Sequence, residues 1–235
     1  GIGIVAQGSD AAHTAADVVL LDGKIEMLLD ALNEGSQLWQ RVQAAVAVLL
    51  GGNASGALFA ILGSALTGRA PLNTRQLQLV NIVIDAFPAT ALAISKPRRP
   101  IPFSGSGPDE KALLRAVALR TSTTASATIA AWFLARLTGF PRRAATVALV
   151  AFVTTQLSQT LLESRSPLVA ATAGGSFAVL AVLISTPVVS QFLGCTPLGP
   201  IGWSQALGSA AVATTASAVA PRFFSRAGAD DAGDA

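Results

Sequence analysis

Little in this 235-residue chain can carry thiol, imidazole or metal chemistry. It has one cysteine, Cys195, one histidine, His13, one methionine, Met27, and no tyrosine. A single cysteine excludes an internal disulfide framework and any cysteine-based zinc site. A single histidine leaves a histidine-based metal centre without its second ligand, so His13 reads as a surface residue of a short helix. Charge is scarce too. Asp, Glu, Lys and Arg make up 12% of the chain, against about 25% in a soluble domain, which is too few to cover the surface of a lone soluble fold. The net charge is +3, and the 16 basic residues are scattered between apolar blocks, so nucleic acid is excluded as a partner. No basic segment followed by an apolar stretch and a small-residue cleavage site opens the sequence, so no signal peptide is read. What remains is apolar: 51% hydrophobic residues and a mean hydropathy of +0.56. That excludes disorder for the bulk of the chain and points to a polytopic membrane protein.

A helix crossing the hydrocarbon core needs about 20 mostly apolar residues. Six stretches qualify, near 42–66, 77–94, 113–137, 144–162, 168–189 and 201–219. Pro, Gly and Arg punctuate the connections, as in Thr67-Gly68-Arg69-Ala70-Pro71, Thr138-Gly139-Phe140-Pro141 and Gly194-Cys195-Thr196-Pro197. Six spans put both ends on one side. That side carries Arg41, Lys96, Arg98, Arg99, Lys111, Arg115, Arg165, Arg222 and Arg226, against Arg69, Arg75, Arg136, Arg142 and Arg143 opposite. The excess of Lys and Arg orients both termini to the cytoplasm, and a bacterial plasma membrane is the expected location.

Residues 1–37 differ, holding Asp10, Asp17, Asp22, Glu26, Asp30 and Glu34. Gly1–Val5 and Asp17–Leu21 read as two short buried strands around a helix over residues 11–16. From Lys24 onward Ile25, Leu28, Leu29 and Leu32 recur at helical spacing, so one long helix is expected to run into the first span. The fold class is therefore an all-α polytopic bundle of six transmembrane helices with a short N-terminal α/β piece. Three regions follow: a cytoplasmic piece and stalk over 1–37, the membrane domain over 38–225, and a disordered acidic tail over 226–235.

The second span carries the strongest chemical signal. Asp85 lies near the middle of an apolar stretch, where a carboxylate costs about 2.5–3.5 kcal/mol on insertion scales. Asn81 precedes it by one helical turn and so shares its face. Pro88 has no N–H and disturbs the bond to the carbonyl of Ile84. A carboxylate, an amide oxygen and a freed carbonyl form an oxygen-rich patch of the kind that binds hard cations, and interrupted helices at mid-membrane are where transporters place ion sites. A lone Asn would read as polar glue between helices; Asn, Asp and Pro together favour an ion site. In the first span Gly51-Gly52-Asn53-Ala54-Ser55-Gly56 allows close helix approach, and Asn53 could add an oxygen. The fourth span carries a polar face of Thr154, Thr155, Gln156, Ser158 and Gln159 with Glu163 at its end; that face lines a polar path or binds helices together. Gly1, Gly3 and Gly8 have the wrong spacing for a dinucleotide fingerprint.

Gly1-Ile2-Gly3-Ile4 with Gly8-Ser9-Asp10-Ala11-Ala12-His13-Thr14-Ala15-Ala16-Asp17-Val18-Val19-Leu20-Leu21 resembles the end of the phosphorylation domain of P-type ATPases. The stretch through Asn33-Glu34-Gly35 and Asn53 is similar to their stalk and fifth membrane helix. Asn81 and Asp85-Ala86-Phe87-Pro88-Ala89-Thr90 are similar to the sixth helix, and the later spans to the seventh through tenth of calcium-pump-like members. The resemblance implies that Asn53, Asn81 and Asp85 are oxygen ligands of a transported cation, with Gln156 as a further candidate. Gly56, Ile84 and Gln156 stand where calcium pumps have a glutamate, a threonine and a further glutamate, so a monovalent ion, a proton or an unusual metal competes with calcium. The resemblance also implies ATP and Mg2+ as cofactors of a complete pump and an aspartyl-phosphate formed upstream, with the lipid bilayer, the cation and upstream pump domains as partners. The chain contains no D-K-T-G, no T-G-E-S and no nucleotide-binding domain, so by itself it is expected to lack ATPase activity. The start at Gly1 rather than Met is read as a cut. A stand-alone, non-catalytic membrane protein (a pump remnant or a partner that binds other helices) is the alternative. A secondary transporter would require inverted internal repeats, and none is seen.

Overall fold

The computed structural model describes residues 2–4, 14, 18–20, 26–81, 86–95, 110–139 and 141–230. Two three-residue strands, β1 (Ile2–Ile4) and β2 (Val18–Leu20), pair in parallel with Ile2 opposite Val18 and Ile4 opposite Leu20. The expected helix between them, with His13, lies outside the described residues. The rest is helical: α1 (Glu26–Thr67), α2 (Thr74–Val80), α3 (Ala86–Ile94), α4 (Glu110–Thr138), α5 (Pro141–Glu163), α6 (Pro167–Ser185), α7 (Pro187–Phe192) and α8 (Pro200–Asp230).

Helix α1 runs unbroken for 42 residues; at 1.5 Å per residue it is about 63 Å long, twice the thickness of a hydrocarbon core. Gly35 does not interrupt it, and it passes through the boundary expected at residues 37 and 38. The Arg41 guanidinium pairs with Glu34 two turns earlier, helping to bridge that glycine. In its second half Val48, Gly52, Ser55, Phe59 and Gly63 are buried. This three-and-four spacing makes one stripe, and its small residues let neighbouring backbones come close.

That stripe packs on α4, and α4, α5 and α8 pack on one another, with α3 and α6 flanking α1 and α5. Helix α5 is the axis of the bundle. Ala144, Val147, Ala148, Leu149, Val150, Ala151 and Val153 are all fully buried, so α5 is enclosed on every face rather than along a stripe. Phe59 of α1 meets Trp132 of α4 edge to face, with ring centroids 6.1 Å apart. Large apolar side chains such as Ile61, Leu66, Leu137, Val182 and Val212 point outward, an apolar exterior of the kind that marks a membrane or helix-docking surface.

Among the described residues three helices, α1, α5 and α6, are long and apolar enough to cross a membrane, where six spans were expected. Helix α4 has the length, 29 residues, but Arg115, Arg120 and the run Thr121-Ser122-Thr123-Thr124 dilute it. Helix α8 is diluted by Gly, Ser and Thr. Many of these hydroxyls bond to carbonyls one turn back, as Thr123 to Leu119 at 2.7 Å, Thr128 to Thr124 at 2.7 Å and Thr214 to Ala210 at 2.7 Å, which satisfies them without water.

Two other expectations need correction. The fifth stretch is not one helix over 168–189. It ends at Ser185, and Thr186 is extended at φ −83° and ψ 112° before α7 begins at Pro187. Proline crowds the residue before it out of the helical region and brings no N–H to the ladder. The C-terminal helix continues to Asp230, so residues 226–230 of the expected disordered tail have helical backbone, consistent with the high helix propensity of Ala227 and Ala229; residues 231–235 lie outside the described residues.

One end of the bundle is clasped by two loops. Asn73 caps α2 in a capping box with Gln76, and its Nδ2 donates to the Leu193 carbonyl at 2.8 Å. The Arg75 guanidinium donates to the Phe192 carbonyl at 2.6 Å and lies 4.4 Å from the centroid of the Phe192 ring. Gln76 Nε2 donates to the buried Cys195 Sγ at 3.2 Å. Burial pushes the Cys195 thiol above its ordinary pKa, while hydrogen bonds to Gln76 and Thr146 pull it back in part. The thiolate is the reactive form, so Cys195 should resist alkylation by iodoacetamide at neutral pH in the folded protein and react readily once unfolded. Equal labelling in both states, read by mass spectrometry, would contradict this packing.

Candidate functional site

The expected site residues divide by burial. Gln156, on the enclosed helix α5, is 2% exposed, and among the described residues neither its Oε1 nor its Nε2 has a hydrogen-bond partner. A buried amide ordinarily finds partners, because leaving one unsatisfied costs roughly 1–3 kcal/mol. The amide faces α1 at Gly52. A Cβ built on Gly52 would overlap Gln156 Oε1 and lie 3.1 Å from its Cδ, so glycine at this position makes room for the amide.

Asn53 is the next residue on α1 and is exposed. Asn81 ends α2, where its N–H bonds to the carbonyls of Gln78 and Leu77, and it too is exposed. Asp85 and Ile84 lie outside the described residues. Pro88 is buried within α3. No hydrogen bond joins Asn53 or Asn81 to Gln156 among the described residues. The structure thus brings Gln156 against the Gly52–Asn53 turn and leaves the two asparagines open on the outside of this chain. Among the described residues no group of three or more His, Cys, Asp or Glu could hold a metal ion; the oxygens on offer are amides.

Behind Gln156 lies a charged residue that the sequence reading passed over. Arg120 of α4 is 6% exposed. Its Nη2 donates to the Gln156 carbonyl at 3.0 Å and to Thr160 Oγ1 at 2.7 Å, and Thr160 Oγ1 donates in turn to the Gln156 carbonyl at 2.8 Å. Its Nη1 stands 3.9 Å from the half-exposed Glu163 carboxylate. The aliphatic stem of Arg120 lies against Gly51. The rule that singled out Asp85, an ionisable residue inside an apolar stretch, applies equally to Arg120 in the third stretch.

Gln159, one turn further along α5, is partnered on both sides of its amide. Gln159 Nε2 donates to Thr123 Oγ1 at 2.9 Å and to Ser217 Oγ at 3.0 Å, and Thr124 donates to Gln159 Oε1 at 3.2 Å. Gln159 thus binds α4, α5 and α8 together. Gln159 acts as helix glue, while the Gln156 amide has no hydrogen-bond partner among the described residues.

Residues 69–223 match the family model for the C-terminus of cation-transporting ATPases. The chain is 44% identical over 252 residues to a probable cation-transporting ATPase I of Mycobacterium leprae, covering 97% of this chain and 16% of that protein. Over 40% of its length it is 31% identical to a P-type sodium-transporting ATPase of Toxoplasma gondii, covering 7% of that protein. Over 41% of its length it is 29% identical to a plasma-membrane-type calcium-transporting ATPase of rice, covering 9% of that protein. The chain spans about one sixth of the length of the Mycobacterium leprae relative. It belongs to the cation-transporting P-type ATPases and corresponds to their C-terminal region.

Proposed function

We propose that this chain forms the C-terminal membrane portion of an ATP-driven cation pump and supplies part of its ion-binding site, with Asn53, Asn81 and Asp85 as oxygen ligands and Gln156 as a fourth. The observation that carries the reading is the Gln156 amide, buried at the centre of the bundle with neither polar atom hydrogen-bonded among the described residues and pressed against α1 at Gly52, the residue before Asn53. A cation held between α1, the second stretch and α5 would satisfy that amide and give the two open asparagines a common ligand.

In this reading the chain crosses a bacterial plasma membrane six times with both termini in the cytoplasm, and the β1–β2 pair closes the phosphorylation domain. ATP and Mg2+ act on pump domains upstream; the motifs that would hold them fall outside this sequence, and the chain alone has no ATPase activity. Phosphorylation moves the stalk, residues 24–41, and because α1 continues unbroken to Thr67 that movement reaches Gly52 and Asn53. A shift there changes how Gln156 and Asn53 meet, which switches the ion between two access states.

Gln156→Leu in the full-length pump tests this. Leucine keeps the bulk and removes the oxygen. A ligand to a charged partner is worth about 1.5–3 kcal/mol, so the cation concentration for half-maximal ATPase stimulation should rise at least tenfold with the melting temperature little changed. An unaltered cation response would show that the amide is packing alone.

A further inference from the structure

Resting on the six-span arrangement proposed above, we infer that the end of the bundle opposite the termini holds an anionic phospholipid, with its phosphate on Arg136, Arg142 and Arg143 and an acyl chain along the outward face of α4.

Charge comes first. The three arginines close α4 and open α5, and the chain from Lys111 to Leu162 holds no Asp or Glu. Among the described residues none of the three forms an ion pair. Asn73 bonds to the Leu193 carbonyl, Thr196 to Thr146, and Gln205 to the Leu134 carbonyl and Thr138, so residues 68–76 and 186–200 lie at the same end. They add Arg69 and Arg75 and no acid. Arg142 and Arg143 also stand in the first turn of α5, where the helix dipole disfavours positive charge. Topology weighs against these arginines too, because Lys and Arg ordinarily gather on the cytoplasmic side. A surface so one-sided in charge calls for an anionic partner.

The neighbouring side chains say which anion. Phe133, Arg136 and Leu137 fall three and four residues apart, hence on one face of α4, and all three are exposed. The Arg136 guanidinium carbon stands 4.8 Å from the centroid of the Trp132 ring. That contact holds the guanidinium without using its N–H donors, whose fork matches a phosphate through two parallel bonds. The Arg143 stem lies against Gly139, and its buried Nε has no acceptor among the described residues. A free phosphate would need the charges alone, and a soluble acidic protein would leave Phe133 and Leu137 uncovered. A phospholipid matches both parts, with its headgroup on the arginines and its chain on the apolar face beside them.

The test titrates purified full-length pump in detergent with phosphatidylglycerol and with phosphatidylcholine, counting bound lipid by native mass spectrometry. The wild type should prefer phosphatidylglycerol. A basic side chain facing anionic lipid is worth about fivefold in binding. Arg142→Gln, at an exposed position that leaves folding intact, should therefore lower the preference about fivefold, and the pair Arg136→Gln with Arg142→Gln about twenty-five-fold. Arg165→Gln, exposed beyond the opposite end of α5, should leave the preference unchanged; an equal loss there means diffuse charge and overturns the inference. Excess glycerol phosphate, which has no acyl chain, should not displace the lipid, and displacement would overturn the lipid assignment. Polyglutamate binding that disappears with the same arginines, without any preference for phosphatidylglycerol, would instead make an acidic protein the occupant and overturn it too. Arg142→Cys should react with an impermeant maleimide from the side opposite the C-terminus. Labelling from the C-terminal side overturns the six-span arrangement itself, whereas labelling as expected with a lipid preference unmoved by the glutamine variants overturns this inference alone.

Discussion

Asp85→Asn in the full-length pump is expected to abolish cation-stimulated ATP hydrolysis. Asparagine keeps the shape and one oxygen and removes only the charge. Ionised carboxylates within apolar stretches cost about 2.5–3.5 kcal/mol, and a bound cation recovers that cost. The other acids lie in residues 1–37, at 109–110, at Glu163 and at 230–234, so no second carboxylate in the six apolar stretches could take over. The loss is on the order of 3 kcal/mol of ion binding, about a hundredfold in affinity, which carries the site out of its working range. Activity assayed over a wide range of cation concentration checks this, and wild-type ion dependence in the variant would remove Asp85 from the ligand set.

The second large effect separates site from scaffold with two matched changes on one helix. Gly52→Ala places a methyl group where the Gln156 amide now lies. That amide is the free end of a flexible side chain, so it swings aside at little structural cost, and alanine favours the helix by about 1 kcal/mol over glycine. The folded variant should be as stable as wild type, with its cation response weakened at least tenfold. Gly63→Ala also crowds a neighbour, but there the neighbour is the Pro71 ring, whose Cγ would lie 2.6 Å from the new Cβ. A proline ring cannot move away, so overpacking of about 1–3 kcal/mol follows, with cation affinity unchanged. Thermal melts in detergent paired with ATPase titrations would read both. If Gly52→Ala lowered stability and left the cation response intact, the Gln156–Gly52 contact would be structural only.

The helices were legible in the sequence because apolar length and punctuation set them. The ends of α5, the unbroken run of α1 and the start of α6 all fall within a few residues of what periodicity and proline placement indicate. The fifth stretch was read too long because Pro187 was counted as one tolerable residue in an apolar run, when its crowding of Thr186 ends the helix. At the site, Gln156 could be nominated by type and position, but its lack of partners depends on which face of α5 meets Gly52, and helix-to-helix register is not written in either segment alone. Asn53 and Asn81 were singled out by their place beside unusual residues, and their exposure in this chain could not be foreseen from that. Arg120 was visible throughout. It was passed over because an arginine leading into Thr121-Ser122-Thr123-Thr124 resembles the start of a polar segment, whereas an aspartate amid isoleucine and valine stands out.

The hairpin of α4 and α5 carries a consequence for biosynthesis. In the six-span arrangement proposed above, α4 carries a guanidinium that donates to the Gln156 carbonyl and Thr160 and stands near Glu163, three groups of the helix made after it. Before α5 emerges those partners are missing, and α4 is diluted by Arg115 and the hydroxyls of residues 121–124. In that arrangement α4 and α5 are expected to leave the translocon as a pair rather than one segment at a time, with the tether between Arg120 and α5 formed as they leave.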